Sequence, residues 1–156
     1  MRRSSLAAML VVGALWVPQV LAQDAAAENA PATAAVKPGE IGAPAAELEI
    51  AEWVKGGPIT LKEGRGQKVY VVEFWATWCP PCRTSIPHLT DVQKKFKDKN
   101  VVVIGITDED LDTVKPFVEK MGERMDYVVA IDKNDAMQKA YMEAYGQNGI
   151  PHAFIV

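Results

Sequence analysis

The sequence predicts an α/β layer structure: a central mixed sheet with flanking helices. Short apolar runs of strand length alternate with stretches whose apolar residues recur every three or four positions. Several of the strand runs are continuous rather than alternating, as expected of strands buried on both faces of a sheet. The resulting order is strand, helix, strand, helix, strand, helix, strand, preceded by a small hairpin.

The hairpin is expected from Leu48-Glu49-Ile50 and Ile59-Thr60-Leu61, which alternate apolar and polar residues around Lys55-Gly56-Gly57-Pro58. Val69-Tyr70-Val71-Val72 is a central strand. After it, Ile86, Leu89, Val92 and Phe96 mark a helix, which Pro87 should kink rather than end because the periodicity resumes beyond it. Val101 to Ile106 is the next buried strand. Leu111, Val114, Val118 and Met121 mark a second helix with Gly122 as its stop. Tyr127 to Ile131 reads as a strand and Met137, Ala140, Tyr141 and Ala144 as a third helix. Gly149-Ile150-Pro151 then leads into a final strand, Phe154-Ile155-Val156. That apolar strand has no following partner strand or covering helix, so the natural protein is expected to continue past Val156.

Residues 1–22 have the pattern of a secretory signal peptide. A positive start, Met1-Arg2-Arg3, precedes an apolar stretch from Leu6 to Val17, and Val20-Leu21-Ala22 offers a cleavage site before Gln23. Pro18 and Gln19 cut the run below the roughly 20 residues of a membrane span. A membrane association follows only if the segment is retained as an anchor. Residues 23–46, rich in Ala and Pro, read as a linker, and 47–156 as the folded domain. The chain is therefore expected to be exported, periplasmic or extracytoplasmic. Of its 156 residues 24% are charged, and the formal net charge is -3, which gives no electrostatic footprint for nucleic acid.

The only two cysteines, Cys79 and Cys82, bracket Pro80 and Pro81 in EFWATWCPPCRTSIPHL. Outside the cytoplasm such a pair can persist as a disulfide. A staple closing so short a loop would constrain little chain entropy. A c-type haem site needs His after the second cysteine, where Arg83 stands. A zinc site would need two further ligands, and only His88 and His152 are available. A peroxidase site would rest on Cys79 alone and asks for a threonine further upstream than Thr77, in a proline-led loop that this sequence lacks.

Redox chemistry fits the spacing better. Cysteines three apart at a helix start bring both sulfurs together near unpaired N–H groups and the positive end of the macrodipole, which stabilise a thiolate. Cys79 should face solvent and attack a partner's disulfide, and Cys82, shielded one turn in, should resolve the mixed disulfide. Pro80 and Pro81 are tolerated in the first turn but remove two N–H donors. Glu73 interrupts the apolar strand just upstream, where an unpaired charge is costly to bury. It reads as a buried proton acceptor for Cys82, its pKa raised by desolvation. The alternative is pairing with a lysine such as Lys68, or reaching the end of the sheet and water. Pro151, heading a strand, is a plausible cis site.

Phe74-Trp75-Ala76-Thr77-Trp78-Cys79-Pro80-Pro81-Cys82, followed by Gly149-Ile150-Pro151, resembles the thioredoxin superfamily, and the hairpin, signal peptide and extra strand-helix around Tyr127 to Tyr145 look most like its exported TlpA/ResA-type branch. The resemblance covers about Ile41 to Val156 and implies a thioredoxin-like fold whose last strand and C-terminal helix are missing. It implies an exported thiol–disulfide oxidoreductase, more a reductant than an oxidant, with protein thiol/disulfide substrates and an upstream electron donor or acceptor. Neither a metal nor an organic cofactor is implied. By position, Cys79 resembles the nucleophile, Cys82 the resolving cysteine, Glu73 the buried acid and Pro151 the cis-proline. The resemblance gives Ile150 a backbone grip on an extended substrate, and places Trp78, Pro80 and Pro81 beside the sulfurs at the binding surface. The chain departs from the family in Pro-Pro between the cysteines and in Ser85, where ResA-type proteins often carry an acid. His88 and His152 read as surface or packing residues. The rival reading is a non-catalytic thioredoxin-like module that binds peptides or copper.

Overall fold

The computed structural model describes Lys37 and residues 39–156; the signal segment and the linker up to residue 36 lie outside the described residues. Five strands form one sheet: β1 (Ile50–Lys55), β2 (Val69–Phe74), β3 (Val101–Thr107), β4 (Val128–Asp132) and β5 (His152–Ile155), in the order β1-β4-β3-β2-β5. β2, β3 and β4 run parallel to one another, while β1 and β5 close the two edges antiparallel. The sheet is mixed, as expected. β2 and β3, with their β-branched runs, hold its buried centre.

The helices are α1 (Leu61–Gly64), α2 (Pro80–Phe96) and α3 (Leu111–Met121), followed late in the chain by a π-helix, Gln138–Glu143. α2 runs unbroken through Pro87. Asp110 caps α3 by accepting from the Thr113 N–H at 3.0 Å, and Gly122, with φ 55°, ends it at the expected stop. The third expected helix forms with a wider turn: the Ala144 N–H reaches the Lys139 carbonyl and the Gln147 N–H reaches that of Met142, both five residues back. The carboxylate of Asp132, at the end of β4, accepts from the N–H groups of Met137 and Gln138 at 2.8 and 2.9 Å and so holds the start of that helix.

The expected N-terminal hairpin does not form. The strand lies later, at Ile50–Lys55, and pairs with β4 in place of Ile59-Thr60-Leu61. Its far end is fastened by Lys55 Nζ, which donates to the Met125 carbonyl and to Asp126 Oδ1 at 2.8 and 3.1 Å. The Leu61 N–H, which a hairpin would have paired, donates instead to Glu47 Oε2 at 3.0 Å and opens α1. An alternating pattern identifies a half-buried strand but not its partner, and β4 offers a longer edge than the three residues beyond the turn.

The two faces of the sheet carry separate cores. Val71 and Trp75 share one with Cys82 and Ile86 of α2, Val114 and Val118 of α3, and Tyr127 and Val129. Tyr70, Val72 and Phe74 share the other with Met137, Tyr141 and Met142. By the two-residue alternation of a strand, Glu73 belongs to the first face, beneath α2. β5 lies antiparallel to β2, with Glu73 opposite Ala153 and Phe74 opposite His152, so the end of β2 and the start of β5 meet at one corner.

Candidate active site

β2 continues past Phe74 through a bond from the Trp75 N–H to the Ile106 carbonyl at 3.1 Å, then breaks into the loop that carries Cys79. Cys79 is the N-cap of α2, with Pro80 and Pro81 in its first turn. Cys79 and Cys82 are joined in a disulfide. The Cys82 N–H donates to Cys79 Sγ at 3.2 Å, and the Cys79 N–H donates to the Ala76 carbonyl at the same distance. Because neither proline has an N–H, Cys82 supplies the first amide of the helix able to act on the sulfur.

Cys79 does not face solvent as expected. It is 2% exposed and Cys82 is fully buried. Bonded to Cys82, Cys79 Sγ is turned inward and lies 3.8 Å from the Ile150 carbonyl oxygen. The exposed parts of the site are its rim: Trp78, at 67% exposure, with Pro80, Pro81 and Pro151. The Ile150–Pro151 peptide bond is cis. Among the described residues Ile150 makes no backbone–backbone hydrogen bond, since β5 begins only at His152. A cleft of about 170 Å³ is lined by Trp78, Ile150, Thr107 and Asn148, with Phe74 and Met142 among others, and by neither cysteine. His88 is exposed on α2, and the His152 ring packs at a tilt against that of Phe154, centroids 4.8 Å apart, on the sheet face opposite Glu73.

Glu73 is 2% exposed, and neither carboxylate oxygen has a hydrogen-bond partner. Pairing with Lys68 does not occur; the single ion pair among the described residues is Lys55–Asp126. Burial alone pushes the Glu73 pKa up to about 8, so the carboxyl holds its proton through the neutral range.

One functional residue escaped the sequence reading. Glu109, just before α3, accepts the Thr77 N–H at 2.6 Å and the Thr77 hydroxyl at 2.5 Å, and is itself bonded to Thr107 through both its side chain and its N–H. It clamps the loop between Trp75 and Cys79 to the end of β3. The only signal was its place in Asp108-Glu109-Asp110, which reads as a solvated acidic stretch before a helix.

The sequence profile described as the AhpC/TSA family matches residues 41–156. Among curated proteins, the thiol-disulfide oxidoreductase ResA of Bacillus thuringiensis (strain Al Hakam) is 31% identical over 118 residues, 75% of this chain and 64% of that protein. The chain thus spans somewhat under two thirds of the length of this relative. Among solved structures, a thiol:disulfide interchange protein of the thioredoxin family from Chlorobium tepidum TLS aligns with a TM-score of 0.62 and 31% identity, over 79% of this chain and 81% of that one. A putative thiol:disulfide interchange protein DsbE from Chlorobium tepidum aligns with a TM-score of 0.57 and 27% identity, over 72% and 73%.

Two outcomes follow from the site's electrostatics. The folded pKa of Glu73 lies above its ordinary 4.5, so the native state binds the extra proton and stability falls as pH rises from about 4.5 to about 8. The slope contributed is at most about 1.4 kcal/mol per pH unit. Glu73→Gln should flatten this dependence in urea titrations across the window, and an unchanged profile would refute it. Glu109→Ala should cost about 2 kcal/mol, typical of lost charge-assisted hydrogen bonds, and should speed amide exchange at Thr77. Unaltered Thr77 protection would show that the clamp does not hold the loop.

Proposed function

Because the chain belongs to the AhpC/TSA family and has a thioredoxin-like fold, we propose that it is an exported thiol–disulfide oxidoreductase that works more as a reductant, exchanging disulfides with protein substrates through Cys79 and Cys82. One observation supports this most directly. A cysteine pair capping a helix lies against an Ile150 peptide with no backbone partner, over a strand that carries a buried, unpaired carboxyl.

In the reduced protein, Cys79 is the thiolate, held by the Cys82 N–H and the positive end of α2. It attacks one sulfur of a substrate disulfide. The substrate S–S bond breaks, its second sulfur leaves as a thiolate and takes a proton from water, and Cys79 is left in a mixed disulfide. Glu73, neutral at rest, first yields its proton to water; Cys82 then gives its proton to the resulting carboxylate and attacks Cys79 Sγ. The mixed disulfide breaks, the second substrate sulfur leaves as a thiolate that takes a proton from water, and the Cys79–Cys82 bond forms. Two electrons have passed to the substrate, and an upstream dithiol donor must return them. Run backwards, the same steps oxidise a dithiol.

An extended substrate segment would add as a short strand to the Ile150 peptide, its position limited by cis-Pro151 and by the exposed rim of Trp78, Pro80 and Pro81. The proposed export rests on the signal-like residues 1–22. No helix among the described residues is long and apolar enough to cross a membrane.

Wild type should reduce insulin with a dithiol donor, Cys79→Ser should abolish the activity, and Cys82→Ser should accumulate the mixed disulfide on mass spectrometry. A wild type that folds but does not turn over would favour a peptide-binding module instead. Equilibration with glutathione should give a reduction potential well below the roughly -120 mV of a strong periplasmic oxidant. A value near that figure would reverse the assigned direction.

A further inference from the structure

Beside Glu73, two aromatic rings that carry unpaired polar groups close on one glycine. Gly105 of β3 is the parallel partner of Glu73, so their positions project to the same face of the sheet about 4.8 Å apart. A Cβ built on Gly105 would stand 3.0 Å from Cε2 of Tyr127 and 3.1 Å from Nε1 of Trp75. The two rings therefore close over the bare backbone beside the acid, and any larger residue at 105 would push them off it. Tyr127 and Trp75 are 4% and 2% exposed. Tyr127 Oη, Trp75 Nε1 and both oxygens of Glu73 are buried with no protein group in hydrogen-bonding reach.

Buried polar atoms are rarely left unsatisfied, and a buried water commonly makes about three hydrogen bonds to such groups. This set supplies three. An ionised carboxylate only accepts, the indole N–H only donates, and the phenol can do either. We propose that Tyr127 is a positioning residue for the proton on Glu73, its hydroxyl and the Trp75 N–H reaching the ionised carboxylate through one bridging water. The inference deepens the role given to Glu73 above and rests on that reading for its catalytic meaning.

Among the described residues no neighbouring charge moves the Glu73 pKa, which burial alone raises. α2 presents Cys82 and Ile86, α3 presents Val114 and Val118, β3 presents Gly105 and β5 presents Ala153. Tyr127 is the titratable group that acts on Glu73 from that core, and burial first, with the Glu73 charge second, raises the pKa of its phenol. Donors placed here favour the ionised acid, opposing the desolvation that favours the neutral one. The balance brings the proton affinity of Glu73 into the range where it can both accept from Cys82 and release.

The test uses the oxidised protein, following the Glu73 carboxyl stretch by infrared difference spectroscopy against pH, with Glu73→Gln assigning the band. Tyr127→Phe keeps the ring and removes only the hydroxyl. It should raise the midpoint by about one unit, a tenfold change in proton affinity, and Trp75→Phe should move it the same way. If Tyr127 served packing alone, Tyr127→Phe would leave the midpoint in place, and an unmoved or lowered midpoint overturns the proposal. The pH dependence of product release from the mixed disulfide is measured alongside. If Glu73→Gln leaves release unchanged, the catalytic role of Glu73 fails, while the carboxyl titration still decides whether Tyr127 and Glu73 are linked.

Discussion

β2 gives its backbone hydrogen-bonding capacity to two partners, β3 in parallel and β5 in antiparallel register, and this double pairing determines where chemistry can happen. A strand held on both sides has no freedom to slip, because a shift of one residue would exchange its two faces. Glu73 is therefore committed to the face that α2 covers, and the chain leaving β2 runs at once into the loop that carries Cys79. The second pairing brings the Ile150–Pro151 peptide to the same corner from the other end of the sequence. The acid, the sulfurs and the unpaired peptide are consequences of one registration.

Burying the carboxyl without a counter-ion is the expensive part of this arrangement. The sheet tolerates it because the group keeps its proton through the neutral range, as its raised pKa indicates. Stability and reactivity thus pull on the same atom. The neutral acid suits the resting fold, whereas the ionised acid suits a neighbouring thiol that must lose a proton. The oppositely acting influences at Glu73 are burial on one side and any donors aimed at it on the other.

Much of this was legible in the sequence because it is local. The run from Val69 to Phe74, the helix start at Cys79 and the isolated acid at Glu73 are each set by neighbours within a few residues. What escaped depends on partners far along the chain. Leu48-Glu49-Ile50 alternates as a strand should, yet nothing within it says that Asp132 rather than the Ile59-Thr60-Leu61 stretch lies opposite Ile50. Cys79 was expected at the surface because a helix start is usually exposed, and it is covered because its sulfur turns toward Cys82 and Ile150, the latter 71 residues away. Glu109 meets Thr77 across 32 residues, and its acidic neighbours disguised it as solvent-facing.

The two prolines have a further effect on the end of α2. Of the four N–H groups that a helix leaves free at its start, Pro80 and Pro81 have none, that of Cys82 is given to Cys79 Sγ, and that of Cys79 is given to the Ala76 carbonyl. Helix starts commonly bind phosphates and carboxylates through those spare groups. This one has none to spare. The positive end of α2 is reserved for sulfur, so small anions in the surrounding fluid find no foothold from which to compete with a substrate for the same polarity.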